Sequence, residues 1–235
     1  MAEVDYTQFL GVTSFTSEAP LDFMKGDPGV LSYALTPAQQ LYLNDRGIPA
    51  RHGVVVPKQV HGDVIWEVAR TDVAQAGVVE ADAVVTDVPG LPIAIRTADC
   101  LPALMYVPGR GVVAAVHAGW KSTRLMIVQK TVDFLRQDFG VDPADIRVAI
   151  GPCIRCASCE VGAEFKDFFP LDTVETEAGL RLDIVQANLR QLVSAGVSRG
   201  NIFDCGFDSY ANKARFHSFR RDADASGRML SVIMM

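Results

Sequence analysis

Between residues 81 and 118 the chain passes through four short apolar runs, "ADAVVTD" (81–87), "LPIAIRTAD" (91–99), "PALMYV" (102–107) and "GVVAAVHA" (111–118). Each has the length and composition of a strand, and Pro89-Gly90, Leu101-Pro102 and Pro108-Gly109 mark turns between them. Beyond Trp120 the period changes. Leu125, Val128, Val132, Leu135 and Phe139 recur at steps of three and four, one face of a helix, with Gly140 as its stop. A short buried strand follows at 146–151, a second helix at about 183–195, and strands at 201–205 and 229–235. Strands that arrive in groups between a few helices predict an α+β fold, mixed β-sheets packed with helices, rather than strict βαβ alternation. Upstream, "GVVVPKQVHGDVIWEV" (53–68) reads as two strand segments around a kink at Pro57 and Gly62. Residues 17–50 read as irregular, broken by Pro20, Pro28, Pro37 and Pro49. No linker or repeat divides the chain, so residues 1–235 are expected to form a single domain.

The balance of charge narrows the partners. With a net charge of −6, the chain has no general attraction for nucleic acid or an anionic membrane, although a local basic pocket for phosphate is compatible with it. The opening "MAEVDYTQFLGV" has acids where a signal peptide needs a basic region, and the longest apolar runs are too short to span a bilayer. Five cysteines, an odd number without the spread of a disulfide framework, point to the cytoplasm.

Chemistry-bearing residues are few. Of four histidines, His61 lies in "KQVHGD" and His117 in "VHAGW"; Cys100 lies in "TADCLP". All three fall at strand ends beside turn-forming residues, where sites are commonly built. Two imidazoles and a thiol form a three-ligand zinc set that leaves a fourth position for water or substrate. The spacings of 39 and 17 residues are no local metal signature, however, and a buried thiol with two satisfied imidazoles explains them from spacing alone. A second cluster, "GPCIRCASCEVG", sets Cys153, Cys156 and Cys159 three apart, but only Cys205 is left as a fourth thiol; a cysteine-rich turn after a buried strand is the expectation. Lys58, Lys121, Arg124, Arg220 and Arg221 are the basic candidates for an anion, and Asp99 and Glu160 the candidate general acid or base. An Asp beside a ligand is equally a supporting residue.

Taken together, "KQVHG" (58–62), "ADAVVTD", "TADCLP" (97–102), "VHAGW" (116–120), "IGPCI" (150–154), "EVG" (160–162), "LD…AN..QL" (182–192) and "FHSFRRD….GR" (216–228) resemble the bacterial YfiH-like proteins, once labelled multicopper polyphenol oxidase or laccase-domain proteins. The resemblance runs from about residue 54 to the C-terminus. It implies an α+β fold likened to cysteine hydrolases, with zinc on His61, Cys100 and His117. It also implies phosphorolysis of adenosine, inosine and methylthioadenosine, and deamination of adenosine. Nucleoside and phosphate are then the partners: Lys58, Lys121 or Arg220 would hold phosphate, with Cys100 and Asp99 in the catalytic set. A role in clearing wrongly built peptidoglycan precursors is also attached to bacterial members. This chain departs from the family pattern at Lys121-Ser122, where Arg-Gly is usual, at Cys159, and in "TSFTSEAPLDFMKGD" (13–27). The old oxidase label fails on ligand counting. His₂Cys can imitate a blue-copper centre, but a laccase also needs a histidine-rich cluster, and only His52 and His217 remain. Two other readings stay open: a metal-free hydrolase with Cys100 as nucleophile and His117 as its base, and a zinc-containing non-enzymatic factor in peptidoglycan precursor editing.

Overall fold

The computed structural model describes residues 3–23, 35–49, 53–69, 72 and 75–235; His52 and Pro28 lie outside them, as does part of the 13–27 segment. In chain order the strands and α-helices are β1 (Glu3–Asp5), α1 (Thr7–Leu10), β2 (Thr13–Ser17), α2 (Pro37–Asn44), β3 (Ile65–Glu67), β4 (Ala83–Thr86), β5 (Ile93–Thr97), β6 (Leu101–Val107), β7 (Val112–Ala118), α3 (Trp120–Arg124), α4 (Ile127–Asp138), β8 (Arg147–Ile150), α5 (Phe165–Phe168), β9 (Thr173–Thr176), β10 (Gly179–Leu182), α6 (Ile184–Ser194), β11 (Ile202–Asp204), α7 (Phe219–Asp222) and β12 (Met229–Met234).

One sheet has the order β11-β8-β6-β7-β4-β3, and a second the order β1-β2-β12-β5; β9 and β10 form a separate hairpin. The first sheet is mixed, because β11 runs parallel to β8 and β3 parallel to β4. The second is antiparallel throughout. This is the expected α+β architecture.

Why β6 and β7 are apolar at nearly every position follows from the layering. Met105, Val107, Val112 and Ala114 face Val128, Val132 and Leu135 of α4 and Leu189 and Leu192 of α6. Their neighbours Leu104, Val113 and Ala115 face Ile93, Ile95, Met229 and Ile233 of the second sheet. A strand buried on both faces reads as a continuous apolar run, not an alternating one. The outer face of the second sheet, Ala94, Leu230 and Val232, packs beneath Tyr42 and Leu43 of α2.

Four local expectations are corrected. Pro37 does not break an element but starts one: it occupies the first turn of α2, where no N–H is needed, behind a reciprocal cap between Thr36 and Gln39. The helix expected from Leu125 starts at Ile127 instead, because Met126 takes the left-handed region at φ 65° and separates α4 from the short α3 before it. Met is a good helix former, so composition gives no warning of that break. Of the two strand segments expected over 53–68, only β3 forms; Val55 and Lys58 make single bridges to Ile93 and Glu80. Pro102 lies inside β6, opposite His117, so the turn precedes Cys100 instead of following it.

Candidate metal centre and adjoining cavity

Strand direction brings the site together. β6 and β4 both run antiparallel to β7, so the starts of β6 and β4 share a rim with the end of β7. Cys100 immediately precedes β6, His117 is next to last in β7, and Asp82 immediately precedes β4. His61 sits in the loop before β3 and reaches the rim because its turn folds onto Asp82. One oxygen of that fully buried carboxylate, Oδ1, accepts from His117 Nδ1 at 2.7 Å and from the His61 backbone N–H at 3.0 Å. The other, Oδ2, accepts from the backbone N–H groups of Gly62 at 2.6 Å and Val60 at 3.2 Å.

The donor atoms of His61, Cys100 and His117 all lie within 4.8 Å of one another. The His61 Nε2 to Cys100 Sγ distance is 3.8 Å, close to the roughly 3.6 Å that a tetrahedral zinc ion sets between sulfur and nitrogen donors. Asp82 takes the Nδ1 side of His117, which leaves the Nε2 lone pair available to a metal, the usual carboxylate support of a metal-bound imidazole. Gly119 closes the cradle: a Cβ there would meet Cys100 Sγ at 2.9 Å and the His61 ring at 3.0 Å. His61 and Asp99 both take positive φ, 60° and 90°, at a cost of about 1–2 kcal/mol each for a side-chain-bearing residue. Burial disfavours the Cys100 thiolate, yet the charge of His117 and hydrogen bonds from both imidazoles hold it down to about 6. Burial likewise opposes charge on His117, and Cys100 and Asp82 together raise it to about 9. Two nitrogens and a thiolate within reach of one point fit a zinc ion.

A cavity of about 570 Å³ opens beside the three donors. His61 and Cys100 form one side. The others come from Trp120 and Lys121 of α3, Phe165 of α5, Glu160, and Phe219 and Arg220 of α7. Trp120 packs against Phe165 with ring centroids 5.2 Å apart, which fixes an aromatic wall.

The other sequence candidates divide. Lys121 and Arg220 line the cavity, and Arg220 Nη1 donates to the Glu160 carbonyl at 2.8 Å. Lys58 is not among the lining residues; its ammonium pairs with Glu80 at 2.7 Å. Arg124 stacks 4.0 Å from Phe168, and Arg221 donates to the carbonyls of Ser209, Tyr210 and Phe216. Asp99 lines the cavity, but its Oδ1 accepts from Ser209 Oγ at 2.7 Å, and its Oδ2 from Ser218 Oγ at 3.0 Å and the Arg220 N–H at 2.7 Å. Glu160 hydrogen-bonds Arg181, which holds its carboxyl below the usual range, so it faces the cavity ionised. Asp82 and the aromatic wall were not singled out from sequence. The signal for Asp82 was an acid at the head of an otherwise apolar strand.

Among the described residues, the group of His, Cys and acid side chains close enough to share an ion is His61, Cys100 and His117. Cys153, Cys156 and Cys159 are not in that group, and burial pushes Cys153 and Cys156 up and Cys159 to about 11. Cys156→Ser is therefore expected to leave turnover and metal content within about twofold of the parent, as for surface changes away from a site. Loss of metal, or iron–sulfur absorbance in the parent, would overturn that expectation.

Comparison with known proteins bears on the family and the fold. The family model described as "Multi-copper polyphenol oxidoreductase laccase" matches residues 34–235, further toward the N-terminus than the motifs reach. A protein of Bacteroides thetaiotaomicron named "Purine nucleoside phosphorylase" is 34% identical over 198 residues, 77% of this chain and 73% of its own. "Adenosine deaminase RL5", from an unknown prokaryotic organism, is 33% identical over 221 residues, 87% and 81% of the two chains. The crystal structure of the Bacillus licheniformis hypothetical protein YfiH superposes with a TM-score of 0.87 at 26% identity, covering 100% of this chain and 96% of that one. With the family model spanning most of its length and its fold shared with YfiH, this chain belongs to the YfiH-type laccase-domain family.

Proposed function

We propose that the chain is a zinc-dependent enzyme acting on purine nucleosides, by phosphorolysis of adenosine, inosine and methylthioadenosine and by deamination of adenosine. The observation that carries this reading is the convergence of His61, Cys100 and His117 on the edge of a cavity walled by aromatic rings and two cations. The cavity is in the size range of small-molecule sites. The aromatic side chains of Trp120, Phe165 and Phe219 on its walls suit a purine. Lys121 and Arg220 supply positive charge for phosphate. His61, Cys100 and His117 would hold the ion, and zinc in such a site acts as a Lewis acid that activates water near neutral pH. Asp99 accepts from three donors and fixes the backbone of Arg220, so it shapes the cation wall rather than delivering a proton. The names of two relatives, a phosphorylase and a deaminase, support the same substrate class.

Zinc is favoured over copper oxidation by the histidine supply. Two of the four histidines belong to the triangle, and the ring of His217 hydrogen-bonds the Leu21 carbonyl at 2.8 Å, which leaves His52 alone for the cluster a laccase requires. The five cysteines are all unpaired, as suits the cytoplasm. No helix among the described residues is long and apolar enough to cross a membrane.

The test is turnover of adenosine, inosine and methylthioadenosine with and without phosphate, before and after chelation. Phosphate-dependent release of free base that chelation abolishes and zinc restores is the expected result. Stoichiometric zinc with no turnover of any nucleoside would overturn the reading and favour a non-enzymatic factor.

A further inference from the structure

Arg96 is a partly buried cation whose guanidinium has no acidic partner among the described residues. It lies next to last in β5, directly opposite Leu230 of β12. Its backbone is held on both sides by the Gln59 side chain, which accepts the Arg96 N–H and donates to the Arg96 carbonyl, each at 2.8 Å. The guanidinium is partly buried, yet it makes no hydrogen bond or ion pair among the described residues. The charge that bears on it is another cation. Arg228 stands two places before Leu230, on the same face, a diagonal neighbour across the strand pair. Burial first, and then the Arg228 charge, pull Arg96 below the ordinary arginine range.

Among the described residues the Arg228 guanidinium makes no ion pair either. Its Nη1 donates to the carbonyls of Ser226 at 3.0 Å and Gly227 at 2.9 Å, both neutral. The nearby acid, Asp22, uses Oδ1 to accept the Arg228 backbone N–H at 2.8 Å. The Arg228 guanidinium lies 5.6 Å from the ring centroid of Phe219, and Phe219 also lines the cavity beside the metal centre.

Two half-buried cations on one face of a strand pair are costly unless an anion joins them. Guanidinium groups offer forked, always-charged donors that match the oxygens of a phosphate. We propose that Arg96 and Arg228 form an anion site at the edge of the cavity, and that its ligand is a phosphate group, either the free ion or the monoester of a nucleotide. The free-ion source rests on the proposed phosphorolysis; the nucleotide source does not.

The experiment is direct binding by calorimetry on the full chain, with inorganic phosphate in one arm and adenosine monophosphate in the other. The parent is compared with Arg96→Gln and Arg96→Lys. Because the Arg96 guanidinium makes no hydrogen bond or ion pair among the described residues, Arg96→Gln should melt no lower than the parent. It should bind the phosphate-bearing ligand at least tenfold more weakly, and Arg96→Lys should recover part of that loss. Weakening for inorganic phosphate identifies the free ion; weakening for the monophosphate alone identifies a nucleotide. Equal affinity of parent and Arg96→Gln for both ligands, or no binding of either by the parent, overturns the site. Binding needs no turnover, so a chain inactive on nucleosides would sink the proposed function without touching this site. Phosphorolysis with equal phosphate affinity in Arg96→Gln would do the reverse.

Discussion

Replacing Cys100 with alanine should remove bound zinc and nucleoside turnover together while leaving the chain folded. The three donors come from three separate segments, the loop before β3, the β5–β6 turn and the end of β7, so no neighbouring residue takes over when one is lost. Two imidazoles are too few for a stable site. The thiol itself carries no part of the core: it lies outside the three clusters of buried apolar residues that hold the sheets and helices together. Turnover should fall by at least about 100-fold, the upper end of what loss of a mere supporting residue costs. Metal analysis alongside kinetics separates the competing chemistries. A Cys100→Ala protein that keeps one zinc per chain but loses activity would establish Cys100 as a nucleophile paired with His117. One that loses zinc yet turns over normally would make the metal irrelevant. Cys205→Ala is the control: that thiol is pushed up to about 11 by burial and lies among apolar neighbours, so both properties should survive its loss.

The sequence exposed the strands of the core well and their surroundings poorly, for a physical reason. β4 to β8 are buried on both faces, so hydrophobicity alone marks them. α2 announces itself only through its cap, and the prolines around it outweigh that signal when read as breakers. β9 is largely exposed, and neither it nor β10 is longer than four residues, too short for an apolar alternation to stand out. In the site, the triangle of His61, Cys100 and His117 became legible through the joint occurrence of motifs, since spacings of 39 and 17 residues encode nothing by themselves. The assignment of cations was weaker because a lysine's surroundings are not written beside it: Lys58 precedes His61 by three positions but pairs with Glu80, while Arg220, far off in sequence, reaches the cavity. Asp99 shows the same limit. Its position next to Cys100 leaves acid–base work and support of a ligand equally open, and only the fold shows its oxygens meeting Ser209, Ser218 and the Arg220 backbone, none of them sequence neighbours.

Asp82 should prove the most costly single position in the site, because one carboxylate serves four donors from two segments. Asp82→Ala leaves His117 Nδ1 and the backbone N–H groups of Val60, His61 and Gly62 without their acceptor. Asp82→Asn is little better. If its carbonyl oxygen keeps His117 and His61, its amide hydrogens are turned toward the N–H groups of Gly62 and Val60, donor against donor. Breaking a buried charged hub of this kind costs about 3–5 kcal/mol, and in a chain of this length that lowers Tm by roughly 10 °C. The effect on the metal should be separate and measurable below the melting range. With the His117 ring no longer oriented and the 60–62 turn released, zinc affinity should fall about 10- to 100-fold. Cobalt substitution gives a readout that general loosening of the fold would not move. Cys100 keeps its place in Asp82→Asn, so the thiolate-to-cobalt charge-transfer band should persist while the ligand-field bands, which depend on the angle of the imidazoles, shift. Asp82→Asn with parental zinc affinity, an unchanged cobalt spectrum and a Tm within about one degree of the parent would show that the carboxylate neither orients His117 nor anchors the turn of His61, and the account of how the fold builds this centre would have to be abandoned.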